Sequence, residues 1–170
     1  FKHLCFAFLR ITTPKALTLS ENILKEVILS CMQNNNYDKL HKQHAHCESG
    51  VTSNLFNHYN IPISEPLAFG IGAGIFFGHV PFLKVGGIPA TTYRIWPGYV
   101  FKRTAQRLNI KVSTKQFSNP NKGMQALDDL LNKGIPVGLI TSVYYLDYLP
   151  EAFRFHFNAH NILVFGKNKD

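Results

Sequence analysis

His46-Cys47-Glu48-Ser49-Gly50, running straight into Val51–Tyr59, is the stretch on which the reading of this chain turns. Val51, Leu55, Phe56 and Tyr59 recur at helical spacing, with Thr52, Ser53, Asn54 and Asn57 on the opposite side, which predicts an amphipathic helix. Glu48 and Ser49 fall in its first turn, where a carboxylate and a hydroxyl suit the unpaired N–H groups. Cys47 therefore stands where a loop becomes a helix. The positive end of the helix dipole lowers a thiol pKa from about 8.5, so a thiolate forms easily there. Residues one apart on a helix do not share a face, so Glu48 is not expected to oppose that thiolate.

A nucleophile needs a base, and the chain offers one far downstream. Asn158-Ala159-His160 leads into the apolar run Asn161-Ile162-Leu163-Val164-Phe165-Gly166, which reads as a strand with the imidazole near its start. Between the two lie further elements. Tyr99–Leu108 is a helix with Val100, Phe101, Ala105 and Leu108 inward, Ile110–Phe117 alternates as a strand, and Asn121–Lys133 is a helix stopped by Gly134. Ile135–Ser142 is a buried strand, and Tyr144–Pro150 an aromatic loop. Helices and strands in this order indicate a mixed α/β or α+β domain.

Residues 1–40 differ from the rest. Ser20 is a candidate N-cap, and Ile23, Leu24, Val27, Ile28 and Cys31 repeat at helical spacing before Asn34-Asn35-Asn36. The expected division is an N-terminal extension over 1–40, one amphipathic helix plus linker, and a domain over 41–170. At 170 residues with 45% hydrophobic and 16% charged residues, the chain is globular rather than disordered. The basic excess of +8 contains no run longer than two and no nucleic-acid reading motif, so it reads as a solvated surface, one able to attract an acidic partner such as a carrier protein, rather than as a nucleic-acid interface. Cys5, Cys31 and Cys47 form no CxxC, which fits reduced thiols and a cytoplasmic location.

Three competing readings of local motifs are weaker. His41, His44, His46 and Cys47 are a dense group of zinc-ligand types, but their spacing matches no closed zinc pattern, and exposed loop histidines are expected at 41 and 44. Leu67–Gly78 is rich in glycine, yet GxGxxG fails at Ile75 in one register and at Phe77 in the other. A buried strand or bend that lets another backbone approach is expected there. Pro66–Leu83 lacks Asp, Glu and Arg or Lys, but its glycines, prolines and His79 argue against a membrane span.

With these pieces placed, His46–Gly50, Phe69–Gly74, Tyr144–Pro150 and Phe153–His160 together resemble the N-terminal domain family of butirosin biosynthesis protein H, over about residues 45–170. The resemblance implies an α+β, papain-like fold in which a helix carrying Cys47 packs on an antiparallel or mixed sheet carrying His160. It implies an acyltransferase of secondary metabolism that moves an acyl group from a carrier-protein phosphopantetheine thioester to a small-molecule amine. Cys47 is then the nucleophile and His160 its base. His46, Ser49, Tyr145 and His156 are the candidates for substrate contact. The resemblance implies an acyl carrier protein as partner and no bound cofactor or metal.

Two departures accompany it. The family's fold orients its histidine with an Asp or Asn from a later strand, expected beyond Asp170, and Ala159 stands where glycine is expected. A cysteine peptidase or amidase of the same fold, and a non-catalytic binding domain, are the alternative readings.

Overall fold

The computed structural model describes residues 6–11, 42–85, 87–156 and 158–167. Within them the chain is α+β. Strand β1 (Phe6–Ile11) is followed by helices α1 (Cys47–His58) and α2 (Glu65–Ile71), then by strands β2 (Gly78–Val85) and β3 (Ile88–Thr92). Helix α3 (Tyr99–Arg107), strand β4 (Val112–Phe117), helix α4 (Pro120–Leu131) and strands β5 (Val137–Ser142) and β6 (Asn158–Val164) complete it. The helix expected over the residues around Ile23–Cys31 lies outside the described residues, as do Cys5, Cys31 and His41.

Four strands form one mixed sheet in the order β4-β1-β5-β6. β1 runs parallel to both β4 and β5, whereas β6 returns antiparallel to β5. The first forty residues thus supply a strand to the middle of the sheet. β5 is buried on both faces, which explains its unbroken apolar run. Ile140 joins Leu55, Phe56, Phe101 and Ala105 in one core beneath α1, α2 and α3. Val137 and Leu139 join Leu127 and Val164 in a second, covered by α4. α1 packs on β6 and β5, so the elements expected to carry the nucleophile and its base are neighbours.

α1 is buried around most of its circumference, on its polar side as well as its apolar one. The polar side chains are bonded to the loops that wrap the helix: Ser53 Oγ donates to the Ile63 carbonyl at 2.8 Å, and Asn57 Nδ2 donates to the same carbonyl at 2.8 Å. Thr52 donates back to the Glu48 carbonyl at 2.7 Å. Periodicity marks the apolar stripe but is silent about loops folding over the other face.

The glycine-rich stretch departs from the strand expected of it. Ser64 caps a helix by accepting from the Leu67 N–H, and Pro66 sits in the first turn where its missing N–H costs nothing. The close approach expected of its glycines holds at Gly72, where a Cβ would lie 2.5 Å from Val100 Cγ1 and 2.8 Å from the Val100 carbonyl oxygen. Ile75 and Phe77, in a stretch expected to be buried strand and turn, are exposed.

Glu48 has an unexpected structural part. Its carboxylate is buried and accepts the Phe101 N–H at 3.1 Å, with the Gly98 and Val100 N–H groups also directed at it. Gly98, in the left-handed region at φ 88°, offers α3 no side-chain cap, and Glu48 takes that part from another helix. Burial raises the Glu48 pKa, and those three N–H groups oppose the rise. Glu48→Ala is expected to destabilise the fold by about 1–3 kcal/mol in urea titrations, because buried donors lose their acceptor. A loss below about 0.5 kcal/mol, the level of an ordinary surface change, would show that the cap is dispensable.

Candidate active site around Cys47

The site begins with the loop that delivers Cys47 to its helix. Asn54 on α1 holds that loop by donating to the Lys42 carbonyl at 3.0 Å and accepting its N–H at 3.3 Å. His44, expected as an exposed loop histidine, is instead half-buried between Asn54 and Glu65, with ring nitrogens 3.2 Å from each. The missing side chain of Gly50 makes room for it, since a Cβ there would lie 2.6 Å from His44 Cβ. Glu65 gathers the strand of loop together, accepting the Ala45 N–H at 3.1 Å, the His46 N–H at 2.6 Å and the Ser49 hydroxyl at 3.3 Å. Burial alone would raise the Glu65 pKa, but these donors and His44 outweigh it and hold the carboxyl below its ordinary value.

His46 is the N-cap of α1, its ring Nδ1 accepting the Ser49 N–H at 3.3 Å. The ring packs edge-on against Phe69 with centroids 5.2 Å apart, and its Nε2 lies 3.1 Å from an Arg94 nitrogen. Burial first, and then the Arg94 charge, keep the His46 pKa below its usual value against the pull of Glu65. Donors face both ring nitrogens, and a neutral imidazole has one acceptor nitrogen, so a given tautomer accepts from either the Ser49 N–H or the Arg94 guanidinium and not from both.

The same Arg94 nitrogen donates to Cys47 Sγ at 2.9 Å. Asn161 Nδ2 approaches the sulfur to 3.7 Å, and the thiol is also hydrogen-bonded by His160 and by the Asn161 backbone N–H. Burial raises the Cys47 pKa and is the largest single influence. The His160, Asn161 and Arg94 contacts together overcome it and bring the thiol down to about 6, from 9.0 for an unperturbed one. Cys47 is thus a thiolate at neutral pH, held among donors at a helix N-terminus.

The sheet explains how His160 reaches it. Thr141 pairs with His160 but Ser142 pairs with Asn158, so Ala159 is an extra residue that bulges β6. Bulges re-aim neighbouring side chains, and this one stands directly before the imidazole. Ala159 does so without entering the left-handed region, so alanine serves where glycine is expected. His160 Nε2 lies 3.2 Å from the Tyr148 hydroxyl. Burial and then the Cys47 charge raise the Tyr148 pKa, so the phenol stays protonated.

Of the residues singled out in the sequence, Cys47, His46 and His160 come together. Ser49 is fully buried and bonded to His46 and Glu65, so it shapes the loop from within. Tyr145 and His156 join Tyr144 in an aromatic group on the segment before β6, with His156 stacked on Tyr144 at 3.9 Å and edge-on to Tyr145 at 6.1 Å. Arg94, Asn161, Tyr148 and Glu65 were not foreseeable as members of the site from spacing alone. Asn161 carries one usable sign: it lies two residues before Leu163, which packs against the core beneath α1, so alternation places it on the side of Cys47. Among the described residues, no group of three His, Cys, Asp or Glu side chains could hold a metal ion. None of the described helices is long and apolar enough to cross a membrane.

A family model matches most of the chain. The family model described as butirosin biosynthesis protein H, N-terminal, covers residues 46–170, from the N-cap of α1 to the end of the chain. No curated protein and no solved structure matches.

Proposed function

The chain belongs to the butirosin biosynthesis protein H N-terminal family, and from that premise and the Cys47 site we propose that it is a cysteine-dependent acyltransferase of secondary metabolism. The observation that carries the reading is the Cys47 thiol, poised at about pKa 6 beside His160. In this reading the helix bearing Cys47 and the sheet bearing His160 are arranged as in papain-like enzymes. The donor is an acyl thioester on a carrier-protein phosphopantetheine arm, and the acceptor is a small-molecule amine.

The steps follow from the groups present. The Cys47 thiolate attacks the thioester carbonyl, forming a new C–S bond and a tetrahedral oxyanion. Asn161 Nδ2, already directed at the sulfur, and the N–H groups opening α1 are donors for that oxyanion. Collapse breaks the bond to the donor sulfur, which leaves with the proton that the His160 imidazole took from the Cys47 thiol when the thiolate formed. The amine then attacks the acyl-enzyme and gives its proton to His160, and an amide forms as the Cys47 thiolate is released. Tyr148 supplies the neutral partner that holds His160 Nε2, the part expected of an Asp or Asn from a later strand. Its hydroxyl both accepts and donates, so it can follow the imidazole through both protonation states.

The experiment is intact-protein mass spectrometry after incubation with acetyl-pantetheine. An adduct of one acetyl group that maps to Cys47, is discharged by added amines and is absent in Cys47→Ala is the expected result. An unacylated protein, or one that releases amine from peptides while ignoring the thioester, contradicts the assignment.

A further inference from the structure

The whole positive excess of the chain comes from one segment. Residues 66–127 contain Lys84, Arg94, Lys102, Arg103, Arg107, Lys111, Lys115 and Lys122 but no Asp or Glu, while the other ten Lys and Arg balance the ten acids. Its central part is the β2–β3 hairpin, which among the described residues pairs only with itself as a two-stranded sheet. Such a ribbon is marginally stable alone, because neither face is packed on a core. Both of its faces are open: Phe82 is 89% exposed and Ile88 69%, with Tyr93 at 73% and Trp96 at 79% just beyond β3. Scattered exposed hydrophobics need no explanation, but aromatic and aliphatic side chains gathered on one ribbon and mixed with Lys84 and Arg94 have the composition of a protein interface.

The ribbon is also tied to the chemistry. The chain leaves β3 at Thr92, and two residues later Arg94 touches both His46 and the Cys47 sulfur. The Thr92 end of the ribbon therefore leads to the thiolate, while Phe82, Lys84 and Ile88 flank the turn at its other end. A membrane would take the same basic and aromatic side chains, but it would not explain why the ribbon ends at the nucleophile.

We infer that the β2–β3 ribbon is the docking surface for an acidic protein that presents the acyl thioester to Cys47. This rests on the acyltransferase reading for the identity of the cargo, and on charge and exposure for the surface. Acidic residues of the donor meet Lys84, its apolar residues cover Phe82 and Ile88, and its thioester arm follows the chain from Thr92 to Arg94.

The test compares two donors. Acetyl-pantetheine has no protein surface, whereas a type II acyl carrier protein loaded with acetyl-phosphopantetheine has an acidic one. The wild type is expected to acylate Cys47 at least about tenfold faster from the carrier than from equimolar acetyl-pantetheine, with the advantage shrinking as salt rises. Lys84→Glu and the double variant Phe82→Ser/Ile88→Ser are expected to lose about tenfold from the carrier rate and nothing from the pantetheine rate, the size of one interface anchor. Fluorescence anisotropy of the labelled carrier, read with Cys47→Ala protein, follows the same docking without chemistry and shows binding that both ribbon variants weaken. Carrier binding with no acylation from either donor overturns the acyltransferase reading and leaves the surface standing. Ribbon variants that bind and react like the wild type, a wild type indifferent to the carrier, or loss only of binding to phosphatidylserine vesicles or of self-association overturns the inference.

Discussion

Replacement of His160 by alanine is expected to reduce acyl transfer by about 10²–10⁴-fold while leaving the protein folded. The imidazole is half-exposed and bonded to the Tyr148 hydroxyl, so its removal opens no core. Two effects add. The amine loses the group that takes its proton, and the thiol loses a hydrogen bond that favours the thiolate. The Cys47 pKa is expected to rise accordingly, which alkylation with iodoacetamide across pH 5–10 reads directly. Tyr148→Phe keeps the ring but removes the hydroxyl, and its effect is smaller: transfer falls and its pH profile shifts while stability holds. A His160→Ala protein that transfers acyl groups at the wild-type rate would remove His160 from the mechanism.

Asn161→Leu is expected to separate activity from stability. Asn161 is 3% exposed, and its Oδ1 meets no hydrogen-bond partner among the described residues. A buried unpaired acceptor costs about 1–3 kcal/mol, so an amide is kept there against the interest of the fold. Leucine of similar size removes that acceptor, and the melting temperature is expected to stay or rise. Transfer is expected to fall by about 10²–10³-fold, the usual loss when one oxyanion donor is removed. A variant that loses both activity and stability would make Asn161 a packing residue instead.

Much of this site was legible in particular residues. The spacing of Val51, Leu55, Phe56 and Tyr59 located α1, and a helix beginning at Cys47 follows from it. The apolar run after His160 located β6, and the pairing of β6 with β5 beneath α1 brings His160 to the thiol. Other parts depended on contacts between distant segments, which no local pattern records. Arg94 is a single cation among exposed aromatics, and only the path of the chain out of β3 carries it to Cys47. Glu65 sits in a turn-forming Ser64-Glu65-Pro66, and its grip on Ala45, His46 and Ser49 is not readable from that local pattern. Glu48 shows the limit on the other side: a first-turn carboxylate suits its own helix, yet this one turns away to serve α3. Tyr148 belongs to an aromatic loop by its sequence, and only the position of its hydroxyl, 3.2 Å from His160 Nε2, shows its part in the site.

The depressed thiol also sets a pH dependence of stability. Its folded pKa lies below the unfolded value, so the thiolate's contribution is complete above about pH 9, shrinks as pH falls from there, and is lost as pH passes below about 6. The central claim is that Cys47 is an activated nucleophile, and the rate of its alkylation as a function of pH tests it most directly. The account predicts a midpoint at about 6, moved upward by His160→Ala. A midpoint at about 8.5, the value of an unperturbed cysteine, unmoved by that substitution, would contradict it.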